Sequence, residues 1–460
     1  MSEVQKIWNS KRKYIINLIL FVLSIVFIVW IISHDKNYTW PEMLGSSIAV
    51  TSCYIVLYLF LMQFRPEILK VTRKTFFIII TILFFVAITR ICVSFNDQNV
   101  LYLIPFALIP IVIRTFYDSR LALYILLITI MLAGLIVPKP FELIFLNFLT
   151  GMVAIFSLSN TYRRGKLFLS CVFIVLCYSV IFFSINIENV EKIENIDWSN
   201  FKWIAGNGVM ILLSYPLIFL FEKKFYFLSD TTLLELSDTN QPLLRKLAEE
   251  APGSFQHSRQ VAVLAEEAAR AVNANVLLVR TGALYHDIGK IVNPECFVEN
   301  QTLRASPHDN LDPVKSSKII INHVNEGVLI ARKYKLPVQI IDFIRTHHGT
   351  TKTYFFYRKY LETNQKTEET EKDFAYSGPK PFSKEMAIIM MADALEASSR
   401  TLDKHTEAFI SELVERILLI QEQDDQFSDA PLTFKDITEI KSVFKKSLST
   451  IYHSRVVYPE

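Results

Sequence analysis

The first half of the chain consists of long apolar runs separated by short polar segments. Within residues 1–221 about eight runs, each of about 15 to 21 residues, are long enough to cross a hydrocarbon core roughly 30 Å thick. The pattern predicts a polytopic transmembrane helical bundle of about eight helices. The predicted spans are residues 14–32, 44–64, 75–93, 101–116, 121–137, 143–157, 167–185 and 201–221.

Basic residues fall in alternate connections between these predicted spans. Loops rich in lysine and arginine stay in the cytoplasm, so the pattern predicts a cytoplasmic N-terminus and a cytoplasmic C-terminal half at a bacterial cell membrane. These loops largely explain the net charge of +3, which therefore gives no support for binding a DNA or RNA polymer. The basic residues are Lys11, Arg12, Lys13, Arg65, Lys70, Arg73, Lys74, Arg120, Arg163, Arg164, Lys166, Lys223 and Lys224.

After residue 221 the sequence becomes charged and favours helices. Residues 222–246 are predicted to form a connector, and residues 247–460 a second, all-helical domain. Its apolar positions follow helical spacing, as at Val261, Leu264, Ala265 and Ala268. The polar stretch 361–384 is predicted to form a mobile loop. Further helices are predicted at 276–285, 313–334, 337–346, 384–402 and 407–421, so the expected fold is all-α throughout.

Histidine and aspartate residues recur on these predicted helices. Their side chains bind divalent manganese, iron or zinc, and two such ions can activate a water for phosphoester hydrolysis. A single buried histidine is more often a hydrogen-bonded core residue. Two doublets with three single residues favour a metal site, most clearly where Asp393 interrupts an apolar helix. The set is His257, His286, Asp287, His323, His347, His348 and Asp393.

Several short motifs around these residues resemble a known family. They are similar, in order, to those of HD-domain phosphohydrolases, and within them to membrane proteins with a seven-helix region and an intracellular HD domain. The PgpH-type cyclic-di-AMP phosphodiesterases belong to that family. The resemblance covers roughly residues 44–455 and rests on ELSDTNQPLL, EAPGSFQHS, GALYHDIGK, ENQ, SPHD, HVNEG, THHGT, YSGPKPFSKE and MADALEASSR.

The resemblance implies a function and a role for each candidate residue. The expected reaction is hydrolysis of cyclic-di-AMP to linear pApA by a metal-bridging hydroxide, with two divalent ions, manganese or iron. Asp287 would bridge the ions, and Lys290 would neutralise phosphate charge. One ion would be held by His257, His286, Asp287 and Asp393, and the other by Asp287, His323, His347 and His348. Substrate contacts would come from Lys290, Asn300, Gln301, His308 and Asp309.

Other activities stay open at this point. Family members specific for cyclic-di-GMP typically carry a GYP element after the His-His doublet, whereas here Gly349, Thr350 and Thr351 follow it, which favours cyclic-di-AMP. An HD-type nucleotide triphosphohydrolase and a sensor that binds a nucleotide without hydrolysis are the remaining alternatives.

One departure from the family concerns regulation. Larger members have an extracellular domain between the first two spans, but here only a short loop joins them. Regulatory input would then come through the spans, the lipid bilayer, a homo-oligomer or a membrane partner.

Overall fold

The chain forms two compact units, Met1–Ser229 and Asp230–Glu460. The computed structural model describes residues 3–34, 39–95, 97–158, 164–188, 198–301, 306–362, 364, 367–402 and 404–452. Every regular element in these ranges is a helix, apart from an isolated antiparallel bridge between Lys352 and Ala375. The predicted all-α fold is therefore confirmed. The predicted connector, residues 222–246, falls on both sides of the division, and its separate role stays a prediction.

The first unit is a bundle of apolar helices. Short 3-10 helices at Gln98–Leu103 and Trp198–Asn200 precede α5 and α9. The helices are α1 Glu3–Ser33, α2 Trp40–Phe64, α3 Pro66–Leu69, α4 Thr72–Val93, α5 Leu108–Phe116, α6 Ser119–Gly134, α7 Pro140–Ser157, α8 Arg164–Glu188, α9 Phe201–Leu212 and α10 Ser214–Phe225.

The predicted span 121–137 corresponds to the shorter helix α6. This helix has 16 residues and extends about 24 Å at 1.5 Å per residue, less than a hydrocarbon core of roughly 30 Å. It ends at Gly134, and the chain turns at residues 135–136. The count of about eight spans stays a prediction. Seven segments in the described ranges are long and apolar enough to cross a membrane: Arg12–Ser33, Trp40–Phe64, Thr72–Val93, Gln98–Phe116, Pro140–Ser157, Phe168–Ile187 and Phe201–Phe225.

Apolar side chains cover the outside of the first unit. Val26, Phe84 and Val180 are all more than half exposed, at positions where a water-soluble bundle would carry polar groups. Two of its buried hydroxyls, those of Thr89 and Thr129, donate to carbonyls of their own helices, at 2.7 and 2.6 Å. This distribution suits a bundle surrounded by lipid, where each polar group must be satisfied internally.

The second unit contains the remaining helices. The predicted helices correspond closely to α14, α15, α16, α19 and α20, but α17, α18 and α21 were not predicted. Short 3-10 helices lie at Ile288–Ile291, Pro294–Cys296 and Val298–Asn300. The helices are α11 Asp230–Leu236, α12 Pro242–Glu250, α13 Pro252–Ala271, α14 Val276–Tyr285, α15 Pro313–Lys333, α16 Val338–Thr346, α17 Tyr354–Leu361, α18 Glu368–Lys372, α19 Lys384–Ser399, α20 Glu407–Gln423 and α21 Phe434–Ile451.

Helix α13 lies at the centre of the second unit, packed against α14, α19 and α21. Its buried face carries Val261, Leu264, Ala265 and Ala268, as the sequence pattern predicts. The small alanines allow neighbouring helices to approach closely. His257 lies on this same buried face, one turn before Val261, so the packing of α13 also fixes the position of this imidazole.

Two glycines bring the helices of the second unit into close contact. A Cβ atom at Gly282 would lie 2.6 Å from the ring of Phe343, so glycine lets α14 and α16 meet. A Cβ atom at Gly289 would lie 1.8 Å from the carbonyl oxygen of His323, so only glycine fits where the 3-10 helix Ile288–Ile291 touches α15. The second approach brings Asp287 next to His323.

Helices α13 and α15 both end with an exposed residue in the left-handed region. Asn273 has φ +53° and Lys335 has φ +56°. In each case the amide of the following residue donates to the carbonyl five residues before it, at 2.9 Å, which is the Schellman arrangement. A side chain with a Cβ atom is strained in this conformation by roughly 1–2 kcal/mol, and asparagine is among the residues that tolerate it best.

This strain gives a stability prediction. Lys335→Gly removes it and should raise the free energy of unfolding of the second unit by about 0.5–1 kcal/mol, after subtracting glycine's greater unfolded-state entropy. The matched change Asn273→Gly should have a smaller effect, because asparagine is already tolerated there. Thermal unfolding of the full-length protein measures both. A lower melting temperature for Lys335→Gly would contradict this reading of the helix end.

Candidate metal centre

The seven histidine and aspartate residues singled out from the sequence come together at one point of the second unit. His257 belongs to α13, His323 to α15 and Asp393 to α19. The two doublets, His286-Asp287 and His347-His348, follow the last residues of α14 and α16. Six of the seven are buried, and His348 is partly exposed. Their ligand atoms form three overlapping groups of three residues, and within each group the atoms lie within 4.8 Å of one another.

Asp287 lies at the centre of this cluster, with its two oxygens turned to different histidines. Oδ2 is 3.3 Å from Nε2 of His286 and 3.6 Å from Nε2 of His257. Oδ1 is 3.4 Å from Nε2 of His323 and 3.6 Å from Nε2 of His347. Both oxygens are buried, and Oδ2 also pairs with Nζ of Lys290 at 2.7 Å. Asp287 therefore divides the cluster into two halves.

Asp393 closes one of these halves and reaches toward the other. Its Oδ1 atom lies 2.8 Å from Nε2 of His257 and 3.6 Å from Nε2 of His286. Its Oδ2 atom lies 3.7 Å from Nδ1 of His348. Burial opposes ionisation of Asp393, but hydrogen bonds from His257 and His286 hold its pKa well below the ordinary value. The carboxylate is therefore available as a charged ligand.

Three imidazoles are oriented by backbone carbonyls. His286, His323 and His347 each place Nδ1 at 2.7, 2.6 and 2.9 Å from the carbonyl oxygen three residues earlier in the chain. A carbonyl can only accept, so Nδ1 donates to it and Nε2 of each ring faces the cluster, where a metal ion can take the place of any Nε2 proton. This is how metal-binding histidines are usually held. The carbonyls belong to Ala283, Ile320 and Ile344.

The fourth buried histidine is oriented by a carboxylate that sequence reasoning missed. Nδ1 of His257 hydrogen-bonds to Glu396, which is 2% exposed and in turn accepts from Nε of Arg400 at 2.8 Å. Burial disfavours the charged form of His257, but hydrogen bonds to Asp393 and Glu396 outweigh it and raise the pKa. The spacing offered a signal, because Glu396 is three residues after Asp393 on the same face of a helix.

Lys290 forms part of the cluster. Its Nζ atom lies 2.7 Å from Oδ2 of Asp287 and 2.8 Å from Oε1 of Glu299, and 5.0 Å from the centre of the Phe297 ring. Burial disfavours the ammonium, but the Asp287 and Glu299 carboxylates outweigh it and raise the pKa of Lys290. Burial and Lys290 act on Glu299 in opposite senses, and its pKa is lowered. Glu299 is the second carboxylate that sequence reasoning missed.

The charges in the cluster are unevenly distributed. Burial opposes protonation of His286, but the Asp287 and Asp393 carboxylates outweigh it and raise the pKa to about 10. Burial lowers the pKa of His348 to about 3, although Asp393 acts in the opposite direction. Burial also opposes the charge on Asp287, but His286 and Lys290 hold its pKa well below the ordinary value.

The side chains present fit divalent metal ions. Nε2 of His323 and Nε2 of His347 lie 3.2 Å apart, and both carry a lone pair because their protons are on Nδ1. Two lone pairs facing each other repel, and a cation between them removes the repulsion. Nitrogen ligands from imidazole mixed with carboxylate oxygens suit manganese, iron and zinc. The two oxygens of Asp287, which face different imidazoles, complete a cluster that could hold metal.

A cavity of about 670 Å³ opens onto this cluster. Its volume lies within the range of typical small-ligand sites, roughly 300–1,000 Å³. Its wall includes His257, His347, His348, Asp393 and Lys290, so a molecule bound in it would lie against both halves of the cluster. The rest of the wall brings hydroxyl, amide and charged groups, among them Thr351, Lys352, Tyr354, Arg400, Gln421 and Asp424.

Four residues predicted to contact substrate form hydrogen bonds with other residues of the second unit. Asn300 accepts from the amide of Ser254 at 3.1 Å and donates to its hydroxyl at 2.8 Å. Gln301 donates to the carbonyl of Glu295, at 3.1 Å. His308 contacts the carbonyl of Cys296 at 3.0 Å, and Asp309 accepts from the amide of Ser306 at 2.9 Å. None of the four lines the 670 Å³ cavity, and their contact with substrate stays a prediction.

Comparison with known proteins agrees with this arrangement. The family described as 7TM receptor with intracellular HD hydrolase matches residues 40–229, and the HD domain matches residues 254–398. The second match contains all seven histidine and aspartate residues of the cluster.

The chain is similar to two curated relatives, both called cyclic-di-AMP phosphodiesterase PgpH. The relative from Listeria monocytogenes is 33% identical, over 93% of this chain and 60% of its own length. The relative from Bacillus subtilis is 36% identical, over 79% and 52%. The chain thus spans between half and two thirds of these relatives. A solved HD domain of L. monocytogenes PgpH with cyclic-di-AMP is 43% identical, with 47% of this chain and 100% of that chain covered and a TM-score of 0.45.

The seven-transmembrane region and the HD domain that define the family follow each other in this chain, and the two PgpH relatives align over 93% and 79% of it. The chain therefore belongs to the family of multi-pass membrane proteins that join a seven-transmembrane region to an HD hydrolase domain.

Proposed function

We propose that this protein is a membrane-bound phosphodiesterase that uses two divalent metal ions to hydrolyse cyclic-di-AMP to linear pApA. The observation that carries the proposal is the buried carboxylate of Asp287, whose two oxygens face two different sets of histidines. A carboxylate in this position can bind one ion with each oxygen. His257, His286 and Asp393 would complete one site, and the other would take His323, His347 and His348.

The two ions, manganese or iron, would activate a water as the nucleophile and stabilise the departing oxygen. The chain's own groups orient the ligands. Backbone carbonyls hold three imidazoles, and Glu396 with Arg400 holds His257. Lys290 keeps its charge beside Asp287 and lines the cavity, so its ammonium can neutralise a phosphate bound there.

The choice of cyclic-di-AMP has two supports. The PgpH relatives bear that activity in their names. In addition, the turn after the His-His doublet reads Gly349, Thr350, Thr351 and lacks the GYP element expected in members specific for cyclic-di-GMP.

The positive-inside pattern supports a cytoplasmic position for the HD unit at a bacterial cell membrane. Six of the seven long apolar segments begin within residues 40–229, where the family has seven spans. If α6 is counted as the seventh span of this region and Arg12–Ser33 as a further span before it, the total is eight, an even number. An even number of spans returns the C-terminus to the side of the N-terminus.

The shared ligand gives the first functional prediction. Asp287→Asn should lower hydrolysis by at least about 1,000-fold, or about 4 kcal/mol at roughly 1.4 kcal/mol per tenfold, because both ions lose a ligand. Its bound manganese should fall from two ions per chain to less than one. Metal analysis and cyclic-di-AMP turnover of the purified full-length protein measure these effects.

A matched control is Asp312→Asn at the first residue before α15. Asp312 accepts from the amide of Val314 at 2.8 Å, and asparagine caps helices equally well, so metal content and turnover should stay at wild-type values. An Asp287→Asn protein that retains two ions and full turnover would rule out the shared-ligand proposal.

Substrate choice can be tested on the same full-length protein loaded with manganese or iron. Cyclic-di-AMP should be turned over fastest, with linear pApA as product, ahead of cyclic-di-GMP and deoxynucleoside triphosphates. The measurement is the initial rate at equal concentration of each compound. Faster cleavage of cyclic-di-GMP would contradict the proposed base preference, and tight binding of cyclic-di-AMP without cleavage would favour a sensor.

Membrane orientation can be tested with reporter fusions. Alkaline phosphatase, which is active only outside the cytoplasm, should be active when fused after Ser33 and inactive when fused after Phe64 or after Glu460. Green fluorescent protein should give the reverse pattern. An active phosphatase after Glu460 would place the HD unit outside and contradict its access to an intracellular nucleotide.

A further inference from the structure

We propose that Gln426, which lies beyond the HD match, is a positioning residue for the histidine doublet. The proposal rests on the function proposed above, because it concerns how His347 and His348 are held toward a metal ion. The segment that follows the doublet, residues 349–351, is called here the doublet turn. Gln426 fixes this turn from the far end of α20.

The side chain of Gln426 binds the doublet turn with both ends of its amide. The backbone N–H of Thr350 donates to Oε1 of Gln426 at 3.0 Å, and Nε2 of Gln426 donates to Oγ1 of Thr350 at 3.0 Å. Gln426 is 1% exposed, so the amide of Gln426 is shielded from water, although Thr350 itself is exposed. Loss of Thr350 as a partner would leave the buried amide of Gln426 unsatisfied, which lowers the free energy of unfolding by roughly 1–3 kcal/mol.

The doublet turn is shaped to receive this amide. Gly349 has φ +51°, a conformation that favours glycine. A Cβ atom on Gly349 would lie 2.3 Å from Oε1 of Gln426, so a side chain at this position would displace the amide of Gln426 from the turn. The absence of a side chain at Gly349 therefore gives Gln426 access to the amide of Thr350.

Gln426 is itself held by the end of α20. Asp425 is left-handed, with φ +54°, and its amide donates to the carbonyl of Glu422 at 3.0 Å. The amide of Gln426 donates to the carbonyl of Gln421 at 3.0 Å, which completes a Schellman arrangement. Nε2 of Gln426 also donates to the carbonyl of Asp424 at 3.1 Å. These bonds determine where the side chain begins and where its amide points.

His348 depends on the turn more than the other histidines do. Within the described part of the chain, no backbone carbonyl accepts a hydrogen bond from its ring. The ring packs against Tyr376, with centroids 4.3 Å apart, and its Nδ1 lies 3.7 Å from Asp393. Its orientation is therefore set by the backbone that leads into the doublet turn and by Tyr376. Gln426 acts on that backbone two residues later.

The test compares two buried hydrogen-bonding side chains of the second unit in the full-length protein. Gln426→Met keeps the size of the side chain and removes both bonds to Thr350. Thr281→Val is the matched control, because Thr281 is also buried and its hydroxyl donates to the carbonyls of Leu233 and Leu277, at 3.1 and 2.8 Å, away from the doublet turn and the cavity. Both changes should lower thermal stability, whereas only one should affect metal binding.

Manganese alone is the probe, measured by calorimetric titration of the metal-free protein. Gln426→Met should bind one of its two ions about tenfold more weakly, at the lower end of effects seen for groups that support metal ligands. Thr281→Val should keep wild-type affinity for both. In metal-free protein the amide of Thr350 should exchange its hydrogen faster in Gln426→Met. Wild-type manganese affinity in Gln426→Met would overturn the proposal.

A second variant covers the case in which Gln426→Met does not fold. Thr350→Val removes the hydroxyl but keeps the amide bond to Gln426, and it should weaken the same ion by a smaller factor. Unchanged affinity in that variant would also overturn the proposal. Wild-type protein that binds two manganese ions but does not cleave cyclic-di-AMP would refute the proposed reaction, while the comparison between variants would still decide the role of Gln426.

Discussion

The second unit depends on the compensation of one buried charge. A carboxylate removed from water is unfavourable by many kcal/mol unless charged or polar partners surround it. Asp287 is 1% exposed, and the groups around it come from α13, α14, α15 and α16. Lys290 supplies the nearest positive charge, at 2.7 Å. The packing of these helices therefore also determines the geometry of the cluster.

Helix ends explain how the imidazoles are aimed. The last carbonyls of a helix have no partner within it. Ala283 and Ile344 are two such residues, near the ends of α14 and α16, and their carbonyls face the Nδ1 atoms of His286 and His347. The same bond satisfies a carbonyl and turns Nε2 toward Asp287. A histidine placed directly after a buried helix can thus be oriented without any further side chain.

Much of this arrangement could be predicted from the sequence, because it depends on local spacing. Helical periodicity gave the elements that carry His257, His323 and Asp393, and the two doublets stood out by composition. The ligand roles of these residues stay predictions. The predicted span 121–137 extends beyond α6 because apolar sequence continues past Gly134, whereas the helix does not, and the count of eight spans stays a prediction.

Other features depend on contacts between distant residues, which periodicity does not reveal. Glu396 meets His257 across 139 positions, and Gln426 meets Thr350 across 76. The polar stretch 361–384, expected to be a mobile loop, contributes the buried Tyr376 beside His348. Helix α21 packs against α13, the helix that carries His257, although its sequence suggested no role. Each of these contacts requires the fold to be known first.

The most direct test of the central claim is an experimental structure of the full-length protein with manganese, in which anomalous scattering locates the ions. The account predicts two ions roughly 3.5–4 Å apart, the usual spacing of two-metal sites, with one oxygen of Asp287 bound to each. A single ion, or two ions of which Asp287 binds only one, would contradict it.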